Sequence, residues 1–425
     1  MVYVLDINGK PLMPTERFGK VRRMLRDGKA RVVQRTPFTI QLLYDTTDFV
    51  QEVVLGADAG SRHIGLSATT AKKELYASIV ELRKDIVDLL STRRELRRSR
   101  RHRKVRHRAP RFLNRRRIKG SLAPSIRQKI DCHLHVVRAV CRILPVSKII
   151  VETASFDIQK IKNPSICGEQ YQQGEQLDFW NVREYVLWRD GHTCQCCKGK
   201  TKDPILNVHH VESRKTGGDA PNNLITLCET CHDGHHKGVV KLPDSIRRGC
   251  KFDHEAFMGI MRWAFYNRLK EEHPDITVAH TFGYITKNTR IQHELPKTHA
   301  VDARCISGHP TAVPLPHIFQ QKKVRNHNRQ IHKTNPSKGG KRKANQSARV
   351  VFGFQLFDKV RFQNRECFIF GKRSSGYFDL RLLDSTKVHA CASHKKLFLL
   401  EKARHILVER QLATKTQDGG APPTP

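Results

Sequence analysis

Short apolar runs separated by turn residues occupy the first 84 positions of the chain and predict β-strands. The run Val2–Leu5 is followed by an Asn8–Gly9 turn, and further runs lie beyond residue 30. Residues 18–30 differ, because their apolar positions recur at helical spacing. The pattern therefore predicts a small α+β module over residues 1–50.

Three denser apolar runs follow this module and predict buried strands. They lie at residues 53–58, 64–69 and 76–80. The first run ends in a carboxylate, Asp58, and a later run at 148–152 ends in another, Glu152. A carboxylate at the end of an apolar strand is costly to bury unless it binds a cation. These two residues are therefore candidate metal ligands, with the turn-capping role of many strand-end aspartates as the alternative.

Helical spacing returns in four longer segments. They begin at Ile86 and then cover residues 125–144, 179–189 and 252–269. A polar connector rich in Lys and Arg runs from Pro310 to about Arg349, and short strands with Gly turns follow it. The strands predict a small β-barrel-like domain, and the Pro-containing tail is expected to be disordered.

The net charge of the chain indicates the kind of partner that it binds. The 425 residues include 78 Lys and Arg against 40 Asp and Glu, a formal charge of +38. Such an excess repels itself unless a polyanion is present, so nucleic acid is the expected partner. No stretch approaches about 20 consecutive apolar residues, so no membrane span is expected. The start has no secretory pattern, and we expect a cytoplasmic protein.

The basic residues concentrate in one segment, where 14 of the 25 residues from Arg93 to Arg117 are Lys or Arg. Like charges at i and i+4 destabilise a helix in water, so this helix should form best against phosphates. A nuclear-type address or a disordered tail is the alternative, and the mid-chain position disfavours both. The expected RNA-binding residues are Arg93, Arg94, Arg97, Arg98, Arg100, Arg101, Arg103, Lys104, Arg106 and Arg108.

Two C-x-x-C pairs carry the most specific chemistry in the sequence. Cys194 with Cys197 and Cys228 with Cys231 are spaced as four thiolates around one tetrahedral zinc would be. The other eight cysteines are scattered without a disulfide framework, which indicates a reducing compartment. They are Cys132, Cys141, Cys167, Cys196, Cys250, Cys305, Cys367 and Cys391.

Between and after these pairs lie His209-His210, Asn223 and His232-x-x-x-His236, which resemble the His/Asn/His series of an HNH nuclease. His209, His232 and His236 are expected to share one Mg²⁺, because His232 and His236 point the same way on a helix. His210 is the candidate general base. Asn223 would hold the imidazole or its loop in orientation. A zinc-knuckle fold with incidental histidines is the alternative, and His235 competes with His236 as the third ligand.

A third acidic group joins Asp58 and Glu152 in the second candidate site. His299 and Asp302 lie three apart in a predicted helix and share one face. Three carboxylates from distant segments suit two Mg²⁺ ions about 4 Å apart that flank a scissile phosphodiester. His299 would assist the water or a ligand. The alternative is that each acid is a cap or a surface charge.

With these parts in place, the chain resembles the IscB family of transposon-encoded RNA-guided DNA endonucleases. The resemblance rests on G-K-P-L-M-P at 9–14, L-G-A-D-A-G at 55–60, I-V-E at 150–152, H-A-V-D at 299–302, the arginine run, the Cys/His segment and L-F-D-K-V-R-F at 356–362. One departure is Ala59, where that family commonly carries proline.

The resemblance implies an α/β multidomain fold with a split RuvC nuclease of the RNase H type and an inserted ββα-metal HNH domain. It assigns 1–50 to a PLMP module, 51–84, 121–162 and 250–310 to RuvC parts I, II and III, 85–120 to an arginine-rich bridge helix, 175–245 to the HNH domain with its zinc site, 311–413 to a C-terminal region that binds RNA and reads the target-adjacent motif, and 414–425 to a disordered tail.

The function implied is RNA-guided cleavage of double-stranded DNA. A guide, omega RNA, would pair with one strand; HNH would cut that strand and RuvC the displaced one. The protein would be a monomer within a ribonucleoprotein and act at a prokaryotic nucleoid. The alternatives are an unguided HNH endonuclease of the homing or restriction kind, and a non-catalytic RNA-binding protein.

Overall fold

The computed structural model describes residues 1–101, 122–153, 179, 181–213, 219–246, 253–324, 348–403 and 405–413. The chain divides into two compact units, Met1–Ser155 with Phe257–Pro425, and Phe156–Ala256. The mixed α/β class expected from the sequence is confirmed.

A four-stranded sheet with one helix forms the amino-terminal module. Its elements are β1 (Val2–Leu5), β2 (Pro11–Thr15), α1 (Phe18–Arg26), β3 (Ala30–Gln34) and β4 (Thr39–Leu42). The strand order is β2-β1-β4-β3, and β1 runs parallel to β4. Val21 of α1 is buried against the apolar side chains of the sheet, and Gly28 follows the helix with a positive φ. The helix and strand pattern predicted for residues 1–50 is therefore present.

A seven-stranded mixed sheet is the centre of the first unit. Its strands are β5 (Val54–Ala59), β6 (His63–Thr69), β7 (Glu74–Glu81), β8 (Lys148–Glu152), β11 (Thr277–Thr281), β12 (His317–Lys323) and β18 (Ile406–Leu412), in the order β11-β8-β5-β6-β7-β12-β18. β5, β6 and β7 form an antiparallel meander, whereas β8 and β11 run parallel to β5. The carboxyl ends of β5 and β8 therefore meet at one edge.

The last two strands of this sheet differ from the sequence expectation. β12 lies within the segment interpreted as a polar connector, and the assignment of 311–413 places both β12 and β18 in the C-terminal region. In the structure β12 pairs in parallel with β7, and β18 pairs antiparallel with β12. β18 is an edge strand, where less apolar burial is required. β12 lies between β7 and β18, and its buried Gln321 donates to the Tyr76 hydroxyl. The stretch 325–347 of the expected connector lies outside the described residues.

Five helices accompany the sheet in the first unit. They are α2 (Ile86–Arg101), α3 (Pro124–Cys141), α6 (Asp253–Glu272), α7 (Gly283–Gln292) and α8 (His299–Ile306). Ile130 and Leu134 of α3 pack with Phe265 and Leu269 of α6 in the main core. The apolar stripes predicted for these two helices are therefore the faces that cover the sheet. Of the arginine run, α2 ends at Arg101, and Arg103, Lys104, Arg106 and Arg108 lie outside the described residues.

α8 lies unusually close to β5 and β6 because both strands present glycine to it. A Cβ on Gly56 would lie 1.9 Å from the Ala303 carbonyl oxygen, and one on Gly65 would lie 1.9 Å from that of His299. Real Cβ atoms do not approach backbone at such distances, so only glycine permits this packing. The two glycines therefore set the height of α8 above Asp58.

Gly56→Ala is expected to destabilise the first unit by at least about 3 kcal/mol, because the methyl group must displace the backbone of α8. Scanning calorimetry would show a lowered unfolding midpoint. Gly259→Ala is the matched control, since nothing lies within 4 Å of its added Cβ in helix α6. That variant should be neutral or stabilised by up to about 1 kcal/mol. Equal midpoints for the two variants would contradict the packing argument.

The carboxyl-terminal part of the first unit contains a five-stranded antiparallel sheet. Its strands are β13 (Lys359–Phe362), β14 (Arg365–Lys372), β15 (Tyr377–Arg381), β16 (Lys387–Ser393) and β17 (Phe398–Glu401), in the order β16-β15-β14-β13-β17. Val360, Ile369, Phe378 and Leu380 are buried on its core side. The sequence predicts a barrel-like closure, but within the described residues β16 and β17 are the two edges and do not pair.

The second unit is a β-hairpin between two helices. Its elements are α4 (Val182–Arg189), β9 (Leu206–His210), a 3₁₀ turn (Pro221–Asn223), β10 (Leu224–Cys228) and α5 (Glu229–His236). Asn181 caps α4 by accepting a hydrogen bond from the Glu184 amide, which is why the helix begins there. β9 and β10 are antiparallel, with His209 opposite Ile225. In the described part of the chain, no helix is long and apolar enough to cross a membrane.

Candidate metal centres

Four cysteines of the second unit converge as the sequence predicts. Cys194 and Cys197 lie in the turns after α4, Cys228 ends β10, and Cys231 is in the first turn of α5. Their sulfur atoms all lie within 4.8 Å of one another, and those of Cys197 and Cys228 are 3.8 Å apart. A tetrahedron with Zn–S bonds of about 2.3 Å has edges of about 3.8 Å. The cluster therefore has the donors and the spacing of a structural zinc site.

The surroundings of the cluster affect its thiols differently. A hydrogen bond with the Thr201 hydroxyl, 3.2 Å from the sulfur, lowers the pKa of Cys197 to about 6. Burial raises the pKa values of Cys194 and Cys231. Zinc binds thiolates and so must displace protons from these two buried thiols, which makes binding weaker at low pH.

Three histidines of the second unit form another cluster. His209 at the end of β9 faces His232 and His236 on α5, with ring centroids 5.3 and 5.2 Å away. The Nε2 atoms of His232 and His236 are 3.2 Å apart. Burial, followed by the neighbouring imidazoles, lowers the pKa of His209 to about 4. The ring is therefore neutral at pH 7 and has a lone pair for a metal.

The positions of His235 and His236 decide which of them can be the third ligand. One ligand atom from each of His209, His232 and His236 lies within 4.8 Å of the others, and His235 is not in this group. His235 Nδ1 instead donates to the Val240 carbonyl oxygen at 3.1 Å, which fastens the end of α5. His236 is therefore the better candidate ligand.

The donor set does not fit the Mg²⁺ expected at this cluster. Mg²⁺ prefers oxygen ligands, whereas three imidazoles suit Zn²⁺, Ni²⁺ and similar ions. Among the described residues, no carboxylate belongs to the group formed by His209, His232 and His236. The sequence expectation is therefore corrected in favour of a borderline transition metal.

Measurement of bound metal tests whether the three histidines hold a transition metal, and it needs no activity assay. After dialysis against Ni²⁺ or Zn²⁺, the wild-type protein should hold about one more equivalent than His232→Ala, because that variant loses one of three imidazole ligands. His293→Ala, which changes an imidazole outside both clusters, is the control. Equal metal contents for wild type and His232→Ala would contradict the site.

His210 has a partner that the sequence did not indicate. Its Nε2 atom lies 2.9 Å from Oδ1 of Asp219, in the segment that leads to the 3₁₀ turn. Because the carboxylate can only accept, the Nε2–H donates, and Nδ1 is the proton-accepting nitrogen of the neutral ring. This arrangement fixes the tautomer and supports His210 as a general base.

Asn223 holds the loop rather than the imidazole. Its side chain is fully buried, accepts from the Glu212 amide at 2.9 Å and donates to the Glu212 carbonyl oxygen at 3.0 Å. The Asn223 carbonyl also accepts from the Val211 amide. Both hydrogen bonds fix the backbone immediately after His210. Of the two roles predicted for Asn223, the structure favours the second.

Asn223→Ala is expected to destabilise the second unit by about 2–5 kcal/mol, because both polar backbone groups of Glu212 would lose their partner. Hydrogen exchange at the Glu212 amide should accelerate as the second unit loses stability. Asn288→Ala, an exposed change on α7 in the other unit, supplies the control. Unchanged exchange at Glu212 would refute the assigned role.

The three acids of the second candidate site come from β5, β8 and α8. Thr298 caps α8 by accepting from the Val301 amide, so that the helix begins at His299 and carries Asp302 in its first turn. His299 Nδ1 lies 2.6 Å from Oδ2 of Asp58. Asp302 is therefore brought to the strand edge where Asp58 and Glu152 end.

The carboxylates affect one another strongly. Burial and then the charge of Asp58 raise the pKa of Glu152 to about 7 and that of Asp302 to about 6. The three do not form a group with all ligand atoms within 4.8 Å. Crowded carboxylates with raised pKa values are what bound cations would stabilise, so the residues fit Mg²⁺.

Two further residues support this site, and the sequence did not indicate either of them. Arg290 of α7 places Nε 3.0 Å from Oδ1 of Asp302, and both side chains are mostly buried. His133 of α3 is fully buried, and its Nε2 lies 3.0 Å from the Gly60 carbonyl oxygen. It therefore braces the turn that follows Asp58. No local pattern in the sequence marks either contact.

Comparison with known proteins agrees with part of this geometry. Residues 194–238 match the family described as HNH endonuclease. This segment is therefore similar to HNH endonuclease domains. Residues 2–174 match the family described as RRXRR protein. No curated protein matches the chain.

Solved structures similar to the chain include two Cas9 proteins. The crystal structure of Streptococcus thermophilus Cas9 in complex with AGGA PAM shares 15% identity, covering 50% of this chain and 30% of its own, with a TM-score of 0.33. The type II-C Cas9 from Actinomyces naeslundii shares 16% identity, covering 44% and 31%, with a TM-score of 0.17. The chain thus spans about a third of the length of these proteins.

Proposed function

We propose that the chain is an RNA-guided DNA endonuclease of the IscB kind, with two nuclease sites that cut opposite strands. The observation that carries the proposal is the meeting of Asp58, Glu152 and Asp302, with His299, at one edge of the seven-stranded sheet. An unguided HNH endonuclease needs no second acidic site. The mixed sheet order, with a meander followed by parallel strands, supports an RNase H-type RuvC domain.

At the HNH domain, His210 would take a proton from the attacking water. Asp219 holds its ring, and Asn223 holds the adjoining backbone. His209, His232 and His236 would hold one metal ion, which when bound stabilises the negative charge that develops on the phosphate. From the resemblance to the IscB family, this site would cut the strand that pairs with the guide.

At the acidic site, Asp58, Glu152 and Asp302 would hold two Mg²⁺ ions, which when bound stabilise the attacking and leaving oxygens. His299 would orient Asp58 through their hydrogen bond. Arg290 neutralises Asp302. This site would cut the displaced strand.

The guide is proposed to be an omega RNA bound along α2 and the basic segment after it. Arg93, Arg94, Arg97 and Arg98 are exposed on α2. Each arginine can contact phosphate oxygens through its planar fork of donors. The C-terminal sheet is proposed to read the target-adjacent motif, and the protein to act as a monomer in the cytoplasm.

Purification of the protein from cells that also contain its neighbouring non-coding DNA tests the guide. A defined RNA should co-purify, and changing its guide segment should redirect cutting to the matching plasmid. Arg93→Glu/Arg97→Glu should lower RNA recovery, with Arg22→Glu on the exposed face of α1 as control. Sequence-independent cutting without RNA would favour an unguided HNH endonuclease, and RNA binding without any cutting would favour a non-catalytic role.

A further inference from the structure

A row of five aromatic rings crosses the surface beside the acidic site. The rings belong to Trp263, Tyr266, His280, Phe282 and Tyr284, which lie on α6, on β11 and around the start of α7. His280 is 5.5 Å from Trp263, 5.4 Å from Tyr266 and 5.6 Å from Phe282 between ring centroids. Phe282 and Tyr284 are stacked, with centroids 6.0 Å apart and planes 10° from parallel. We call these residues the ring row.

The outer rings of the ring row are open to solvent. Tyr284 is 65% exposed, Trp263 44% and Phe282 40%. Three large exposed aromatic side chains in one contiguous row are costly to leave in water and mark an interaction surface. The contiguous rings, two of them stacked and nearly parallel, suit a ligand with repeated flat groups better than a globular partner.

The row ends at a proposed catalytic carboxylate. Gly283 lies between Phe282 and Tyr284 in the sequence, and a Cβ on it would be 3.0 Å from Oε1 of Glu152. Thr281, which precedes Phe282, pairs with Glu152 in the β11–β8 register. A chain seated on the rings would therefore run directly to the acidic site.

Charge on the same helix favours a nucleic acid. α7 contains no acidic residue, and of its two basic residues Arg290 is paired with Asp302, which leaves Lys287 for a ligand. Lys287 is exposed one turn after Tyr284, so its ammonium group can follow a phosphate backbone whose bases lie on the rings.

We propose that the ring row is a stacking platform for the bases of single-stranded DNA, which it positions for cutting at Asp58, Glu152 and Asp302. The proposal rests on the proposed function of that site. Stacking uses the flat face that every base has, so the platform accepts any sequence. A base pair in a duplex would not expose such faces, and the platform therefore selects the displaced strand.

The test uses the complete protein with its guide RNA and a target in which each strand carries a different label. Tyr284→Ala should slow cutting of the displaced strand about 5- to 150-fold, as expected from losing one stacked base, and leave cutting of the paired strand unchanged. Tyr284→Trp should retain the rate, because a ring remains. Ile291→Ala is the matched control, since Ile291 is an exposed apolar residue of the same helix, 56% accessible.

A second readout does not need cutting. A single-stranded oligonucleotide containing 2-aminopurine should lose fluorescence on binding the wild-type complex and the Tyr284→Trp complex, and keep it with Tyr284→Ala. Equal quenching and equal displaced-strand rates in wild type and Tyr284→Ala would overturn the platform. An equal effect of Ile291→Ala would also overturn it, because the surface would then be a general apolar contact. If Asp58→Asn leaves both strands cut, the proposed function fails, whereas the quenching result still decides the platform.

Discussion

Asp58→Asn is expected to slow cutting of the displaced strand by at least about a thousandfold and to leave cutting of the paired strand intact. Metal-bound charge stabilisation supplies several kcal/mol of a phosphodiester transition state, and each 1.36 kcal/mol is a factor of ten. Asparagine keeps the shape of the side chain but removes the negative charge at the centre of the site. The product should be a plasmid nicked in one strand.

The stability of this variant should not fall with its activity. The charge of Asp58 raises the pKa values of both Glu152 and Asp302, so it opposes folding when no cation is bound. Its removal should leave the unfolding midpoint of the metal-free protein unchanged or higher, despite a weaker hydrogen bond to His299. Calorimetry with chelator present measures this directly.

Two variants control the assignment of the strands. Asp45→Asn changes an exposed aspartate outside the site and should cut both strands at wild-type rates. His210→Ala should give the reciprocal nick, because it removes the proposed base of the HNH domain. If Asp58→Asn and His210→Ala nick the same strand, the division of labour between the sites is wrong.

Local spacing explains why much of the site was predictable. The C-x-x-C pairs and the spacing of His232 and His236 are each set within one turn, so the sequence alone places their donors together. The strands that carry Asp58 and Glu152 appear in the sequence as apolar runs. The carboxyl ends of neighbouring parallel strands lie at the same edge of a sheet. These features are local in the sequence, apart from the pairing of β5 with β8.

What the sequence could not show depends on distant contacts. The pairing of Arg290 with Asp302 and that of His133 with Gly60 join different elements. Asp219 lies in a polar loop in which nothing distinguishes it from a capping residue. β12 and β18 are strands only because each pairs with a neighbour in the sheet, and their polar composition resembles that of a connector.

Cys231→Ser is expected to unfold the HNH domain while the other unit remains folded. Structural zinc contributes about 10–16 kcal/mol of binding free energy in small zinc domains, which matches or exceeds the total stability of a typical domain of about 5–15 kcal/mol. The apolar clusters in the described part of this unit are small: Ile225 and Leu227 are buried beside the cysteines, and Tyr185, Val186 and Leu224 form a second cluster. Without the metal, that burial does not offset the conformational entropy of the hairpin.

Cys196→Ser is a closely matched control for this prediction. Cys196 lies between the two ligands of the first pair, is half-buried, and is not part of the four-sulfur group. The Cys196→Ser protein should keep one tightly bound zinc per chain, as measured by elemental analysis. It should also retain slow hydrogen exchange across β9, β10 and α5. Cys231→Ser should lose that zinc and exchange rapidly in the same elements, while the amides of β5 and β6 stay protected.

The two proposed sites make this result more informative than a simple loss of activity. Zinc removal acts on the unit that holds His210, so paired-strand cutting should disappear with the fold of the hairpin. The acidic site is built from β5, β8 and α8 of the other unit and has no cysteine among its proposed ligands. Displaced-strand chemistry should therefore survive in Cys231→Ser when the target is supplied with that strand already single-stranded. A folded, zinc-containing Cys231→Ser protein would show that the four sulfurs are not the ligand set.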